Sequence, residues 1–300
     1  MIMKHISVLL NESIEALNIV PEGIYVDATL GGGGHSLEIL KKLNNGHLYA
    51  FDQDKFAHEK ASERLKNYHN KTLIHSNFSS MEAKLNQLNI TQVDGILFDL
   101  GLSSFQIDDA SRGFSYLKDN ELDMRMNKEE PLTAKDIINT YDRQALTDIF
   151  RNYGDEKNAW VMAGRIIEKR PINTTLELVS ITDSINKNQK GHSAKRVFQA
   201  LRIEVNRELE VLKSALEQSI RILKPGGRLV IITFQSLEDR IVKQFFKQNS
   251  ELNLPKHVDV RFVQQPPLKI IQKKAIKPSL EELNENKRSH SAQLRIAEKQ

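Results

Sequence analysis

Ile24-Tyr25-Val26-Asp27-Ala28-Thr29-Leu30-Gly31-Gly32-Gly33-Gly34-His35 is the stretch from which the fold is read. Ile24 to Ala28 is a short β-rich run containing Asp27, four consecutive glycines follow, and Leu37 to Leu43 then recur at helical spacing. The rhythm repeats downstream. Leu48 to Phe51 is a second strand ending at Asp52, followed by a polar helix carrying Ala57, Ala61 and Leu65. Thr72 to His75 is a third strand closing at Asn77-Phe78, Met81 to Leu88 is helical, and Val93 to Leu100 is a fourth strand with Asp99 at its end. Strands and helices alternating in this way predict βαβ units with right-handed crossovers, hence an α/β fold with a doubly wound parallel sheet.

From about Ile107 to Arg196 strand-like runs vanish, and charge-rich helical segments such as Ala134 to Phe150 and Asn158 to Lys169 replace them. Phe198, Leu201, Val205, Leu209, Leu212, Leu216, Ile220 and Leu223 then recur at three- and four-residue spacing, which predicts one long amphipathic helix. Lys224-Pro225-Gly226-Gly227 stops it before a fifth strand, Arg228 to Phe234, and further strands are expected at Val258 to Val263 and Gln293 to Ala297. The chain therefore reads as a sheet domain, 1–106 and 207–300, interrupted by an inserted helical domain, 107–206. Trp160, the one tryptophan, is expected in the core of that insert.

The chain has 300 residues and is 39% hydrophobic, enough for a buried core. It has no cysteine, which excludes disulfides, zinc-thiolate sites, iron–sulfur clusters and thiol nucleophiles. Apolar runs such as Val8 to Leu10 and Leu229 to Ile232 fall far short of the roughly 18 apolar residues of a membrane helix. With no signal-peptide pattern either, the expectation is a cytoplasmic protein without a membrane partner. Net charge is +4, but it is unevenly spread. Lys256 to Gln300 holds ten Lys or Arg against five Asp or Glu, and Lys187 to Arg207 holds six against Glu204 alone. Such stretches suit a phosphate-rich partner or a solvated face equally well.

Ligands of doubly wound sheets bind at the carboxyl ends of the strands, near the switch point. Polar residues stand at each of those ends here: Asp27 and Gly31 to His35, Asp52, Asn77-Phe78 and Asp99. Asp52 follows Gly31 by 21 residues, the spacing at which an acid can accept hydrogen bonds from both ribose hydroxyls. Its simpler alternative is a helix N-cap. Together the glycines and Asp52 point to a cofactor containing adenosine, either a nicotinamide dinucleotide or a methyl donor. The glycines are consecutive rather than spaced G-x-G-x-x-G, and that pattern resembles the first motif of class I methyltransferases, whose cofactor is S-adenosyl-L-methionine.

Longer strings carry a closer resemblance. His5-Ile6-Ser7-Val8-Leu9-Leu10, Asp99-Leu100-Gly101-Leu102-Ser103-Ser104 with Gln106, Arg112-Gly113-Phe114-Ser115, Leu122-Asp123-Met124-Arg125-Met126, Phe198-Gln199-Ala200-Leu201-Arg202-Ile203 and Ser236-Leu237-Glu238-Asp239-Arg240 resemble the ribosomal RNA small subunit methyltransferase H family from His5 to Glu298. Phe105, Gln235, Lys287, His290 and Gln293 depart from its pattern. The resemblance implies N4-methylation of a cytidine in the decoding centre of 16S rRNA, within a small-subunit particle and without a metal. It places cofactor contacts on Gly33, Gly34, His35, Asp52, Phe78, Asp99 and Gln106. It also makes Asp99 the candidate catalytic residue, where amino-methyltransferases put a polarising acceptor. Arg112, Phe114, Asp123 and Arg125 lie where a flipped base would be received, or are ordinary packing of the insert. A nicotinamide-dependent oxidoreductase and a non-catalytic ribosome-assembly factor are the rival readings.

Overall fold

The computed structural model of the chain describes residues 7–187, 191–252 and 265–300. Its first part alternates as the sequence predicts: α1 (Leu10–Ala16), β1 (Ile24–Asp27), α2 (Gly34–Lys42), β2 (His47–Asp52), α3 (Lys55–Arg64), β3 (Lys71–His75), α4 (Met81–Gln87) and β4 (Val93–Asp99). A helical stretch follows, with α5 (Ser104–Asp108), α6 (Ala134–Thr140), α7 (Arg143–Gly154), α8 (Ala159–Glu168), α9 (Thr175–Ile185) and α10 (Lys195–Asn206). Strands then resume with α11 (Glu208–Ile222), β5 (Leu223–Thr233), α12 (Ser236–Ser250), β6 (Leu268–Ile270), α13 (Leu280–Glu285) and β7 (Gln293–Lys299). The chain forms two compact units, Met1–Gly101 with Leu209–Gln300, and Leu102–Glu208. No helix among the described residues is long and apolar enough to cross a membrane.

The first unit is built on a seven-stranded sheet in the order β3-β2-β1-β4-β5-β7-β6. β3, β2, β1, β4 and β5 are parallel, whereas β7 runs antiparallel to β5 and β6. Successive residues of each inner strand point to opposite faces, and both faces are apolar. Phe51, Ile96, Phe98, Leu229 and Ile231 pack on one side with Met81 and Leu85 of α4, Leu212 and Leu216 of α11, and Val242 of α12. Leu48, Ala50, Leu97, Val230 and Ile232 pack on the other with Ile14 of α1 and Ile39 and Leu40 of α2. Helices therefore cover both faces, as a doubly wound, Rossmann-like sheet requires. β5 begins at Leu223, earlier than expected, because Leu223 already pairs with Val93 before the Lys224–Gly227 turn bulges out of register. Lys224 donates to both carboxylate oxygens of Asp94 at that bulge, at 2.9 and 2.8 Å.

β6 has only three residues and gives no periodic signal. The strand expected at Val258 to Val263 lies outside the described residues. Ala134 to Phe150 is two helices, because Asp142 caps α7 by accepting from the Ala145 amide. The long helix expected from Phe198 to Leu223 is also two. Arg207 takes a left-handed backbone, φ 50° and ψ 36°, and ends α10. The apolar period runs on through this break because each half buries one face, but in different units. Phe198, Leu201 and Val205 enter the core of the helical unit, whereas Leu212 and Leu216 enter that of the sheet unit.

Arg202 spans the break as a fork, with Nε 2.7 Å and Nη2 2.8 Å from the two carboxylate oxygens of Glu208. Both side chains are largely buried, 13% and 12% exposed. Glu208→Ala should therefore remove both bonds of the fork from a largely buried guanidinium and destabilise the chain by about 3 kcal/mol in urea unfolding. An unchanged midpoint would show that the fork contributes nothing to stability.

Candidate active site

Strand register sets the site's geometry. Asp27 is level with Ala50 on one side and Leu97 on the other, so Asp52 and Asp99 each project two residues beyond it and flank the loop that follows β1. That loop is tied to both neighbours. The Leu30 amide donates to the Phe51 carbonyl at 2.8 Å, the Gly31 amide to Asp52 Oδ2 at 2.8 Å, and the Asp99 amide to the Thr29 hydroxyl at 2.6 Å. Asp52 Oδ1 accepts from the Asp54 amide at 2.8 Å. The N-cap of α3 is Asp54, so the capping alternative for Asp52 falls to its neighbour.

Three carboxylates thus converge with unequal support. Asp27 is buried, accepts from the Ser36 hydroxyl at 2.6 Å and the Thr29 amide at 3.1 Å, and burial still pushes it up to about 6. Asp52 is raised by burial against the opposing pull of the Asp54 and Gly31 amides. Asp99 is raised to about 8, by burial first and then by the charges of Asp27 and Glu238. Its Oδ1 is buried with no hydrogen-bond partner, and its Oδ2 lies 3.5 Å from His35 Nδ1. His35 is itself buried, with Nε2 at 3.1 Å from the Val8 carbonyl oxygen.

Two glycines are demanded by geometry. Gly33 is the N-cap of α2 with φ 73°, a left-handed conformation that a side chain disfavours. A Cβ on Gly34 would stand 1.9 Å from Ser7 Oγ, so the segment before α1 occupies the space a side chain would need. Gly33, Gly34, His35, Asp52 and Asp99 are therefore assembled around one loop. Phe78 is partly buried and meets Phe98 edge-on at 5.5 Å. Gln106 belongs to the helical unit, where its side-chain oxygen accepts from the Ser103 amide at 3.0 Å in a capping box.

Supporting residues appear that the sequence did not single out. Thr29 and Ser36 brace Asp99 and Asp27, and His58 and His75 reach the carbonyls of Asp52 and Gln53 at 3.0 and 3.1 Å. Hydroxyls and imidazoles bonded to backbone leave no spacing signature. Glu238 accepts from the Phe234 and Gln235 amides, while Asp239 takes both arms of Arg295 at 2.7 and 2.9 Å. In the helical unit Arg112 is buried and donates to the Arg125 and Met126 carbonyls, and Arg125 forks onto Asp123. Phe114 lies in that unit's core. Trp160, by contrast, is not core: it is 48% exposed, with the Arg143 guanidinium 4.0 Å above its ring.

Because Asp99 is held near 8 in the fold and near 3.8 when unfolded, the native chain binds more protons across that window. Stability then falls as pH rises from about 4 to 8. Asp99→Asn should flatten this slope and raise the thermal midpoint near pH 8 by roughly 2–4 °C per kcal/mol recovered. A mutant with the wild-type slope would mean that Asp99 is not strained by burial.

Residues 2–300 match the model of a family described as the MraW methylase family. It is 70% identical over 298 residues to "Ribosomal RNA small subunit methyltransferase H 1" of Acholeplasma laidlawii, covering 99% of this chain and 100% of the relative. It is 56% identical over 295 residues to the methyltransferase H of Onion yellows phytoplasma, covering 98% and 97%, and 52% identical over 308 residues to that of Clostridium botulinum strain Loch Maree, covering 99% of each. With its sheet, its glycine loop and its whole length in agreement, the chain belongs to the MraW methylase family.

Proposed function

We propose that this chain is an S-adenosylmethionine-dependent methyltransferase of small-subunit ribosomal RNA, and that it methylates N4 of a cytidine in the 16S decoding centre. One observation carries the cofactor reading: three acidic side chains crowd the loop at the ends of β1, β2 and β4. S-adenosylmethionine bears a sulfonium and an ammonium, and positive charge relieves that crowding. A dinucleotide would bring a pyrophosphate into the same crevice, adding like charge to like. The relatives' names, as small-subunit rRNA methyltransferases, support the choice of RNA.

Asp52 keeps lone pairs beyond its two amide bonds for the ribose hydroxyls, Phe78 covers the adenine, and Gly33, Gly34 and His35 close around the cofactor. When bound, the cofactor supplies an electrophilic methyl group. The amine of cytosine has its lone pair delocalised into the ring and attacks poorly until an acceptor draws on its N–H groups. Asp99, with a buried Oδ1 lacking a partner, is that acceptor. Holding an unstacked base in line can supply about 7–11 kcal/mol of the barrier. Mass spectrometry of 16S rRNA from cells with and without the protein tests the reaction, and identical modification in both would refute it.

Asp52→Ala should weaken S-adenosylhomocysteine binding about tenfold to a hundredfold, as the loss of charge-assisted bonds worth roughly 1.5–3 kcal/mol implies. Calorimetric titration measures this, and wild-type affinity in a folded mutant would remove Asp52 from the ribose. The helical unit is the RNA-holding part in this reading, with Lys195 and Arg196 at the start of α10 as candidate phosphate contacts. Reversing both charges should flatten the plot of log affinity against log salt by roughly one to two units. Cofactor affinity should stay within about twofold in the same protein. Equal slopes would mean that these residues do not meet phosphate.

A further inference from the structure

Asp99 faces a chemical difficulty that His35 can resolve. A newly methylated amine must shed a proton, yet Asp99 is pushed up to about 8 and carries a proton of its own at neutral pH. Its two oxygens differ in surroundings. Oδ1 is buried and without a hydrogen-bond partner, whereas Oδ2 is 3.5 Å from His35 Nδ1. On the far side of the ring, Nε2 lies 3.1 Å from the Val8 carbonyl oxygen. A carbonyl only accepts, so Nε2 carries the ring's hydrogen and the Nδ1 lone pair faces Asp99.

We propose that His35 is the proton acceptor behind Asp99: a proton leaving the substrate amine bonds to Oδ1 while the proton on Oδ2 passes to His35 Nδ1. One N–H bond breaks at the amine and one O–H bond forms at Oδ1. One O–H bond breaks at Oδ2 and one N–H bond forms at Nδ1. The carboxyl relays the proton and stays neutral, and the positive charge ends on the imidazolium, which returns the proton to water after turnover. Charged groups on several elements lie near this pair: Asp27 on β1 and Glu238 on α12, whose charges act on Asp99, and Arg64 on α3, whose Nη1 would lie 3.3 Å from a Cβ on Gly34. His35 does not meet the substrate in this scheme; it is a positioning residue that acts through Asp99, and the inference rests on the methyltransferase reading above.

The test is single-turnover methylation of small-subunit rRNA at saturating cofactor, from about pH 6.5 to 9.5. His35→Gln keeps a polar side chain but cannot take the proton. Its rate should fall roughly tenfold to a hundredfold near pH 7 and recover as pH passes about 8, where Asp99 ionises and accepts unaided. Asp99→Asn should show no recovery at any pH. A His35→Gln loss of equal size across the range would overturn the relay and leave His35 a structural residue. A second readout needs no turnover: nitrogen-15 spectra of the full wild-type chain without cofactor should show His35 protonated at Nε2 and bare at Nδ1. The opposite tautomer would overturn the proposal while leaving methylation intact. Wild-type protein that fails to methylate the RNA would overturn the functional reading, and the relay with it.

Discussion

Carboxylates at neighbouring strand ends repel one another, and the loop between β1 and α2 is organised around that repulsion. Asp27 receives a hydroxyl and an amide, and Asp52 receives two amides. Asp99 receives no such hydrogen bond at Oδ1, and it is raised further above the ordinary carboxylate range than Asp27. Hydrogen-bond support therefore declines from Asp27 and Asp52, which hold two bonds each, to Asp99, whose Oδ1 holds none. Asp27 ties the end of β1 to the first turn of α2 through Ser36, which makes it a structural acid. Asp99 keeps an unfilled acceptor in a low-dielectric place, where a hydrogen bond formed with a reacting group is stronger than in water.

The segment before α1 completes this arrangement from behind. Ser7 fills the space over Gly34, the Val8 carbonyl takes His35, and the Leu9 amide donates to Glu282 Oε1 of α13 at 2.8 Å. Leu9 accepts a left-handed backbone, φ 49°, to do so, and Glu282 is raised by burial as it receives that amide. The Ser7-Val8-Leu9 string is thus a clamp between the glycine loop and the helix that precedes β7. Its apolar side chains sit in the core, while the Val8 carbonyl meets His35 and the Ser7 hydroxyl fills the space over Gly34. Ser7 and Gly34 lie 27 residues apart and contact directly, which is why neither residue type can be explained from its own neighbourhood.

The alternation of strand and helix was legible because inner strands of a parallel sheet are apolar on both faces and are separated by glycine and acids at their ends. The strand-end acids were legible for the same reason, since a charge closes an apolar run. What the sequence concealed were breaks where apolar periodicity continues. Arg207 sits inside a faultless helical pattern, and only its left-handed backbone divides α10 from α11. Short β6 is fixed by pairing with β7 rather than by its own composition. Thr29, Ser36, His58 and His75 act through bonds to backbone atoms or to a buried acid, which leave no repeat to detect. Trp160 misled because an aromatic residue in a helix usually enters the core. Here Gly164, one turn on, leaves room for the Arg143 guanidinium, which lies against the helix and covers the exposed indole.

Charge counted along the chain overstates what is available to an RNA. The arginines of the family-like strings are largely committed within the protein: Arg202 to Glu208, Arg125 to Asp123, Arg112 to two carbonyls, and Arg295, beside the last of them, to Asp239. A planar fork of donors suits fixed internal partners, whereas a lysine ammonium on a flexible stem suits phosphates whose positions vary. The basic stretch around α10 divides in this way, with Arg202 turned to Glu208 and Lys195 exposed at the helix start. Any phosphate affinity of that stretch then depends on its exposed members at one end, not on its total charge. Removing Arg202 would weaken RNA binding only by disturbing the helix break, a loss that stability measurements detect and salt dependence does not.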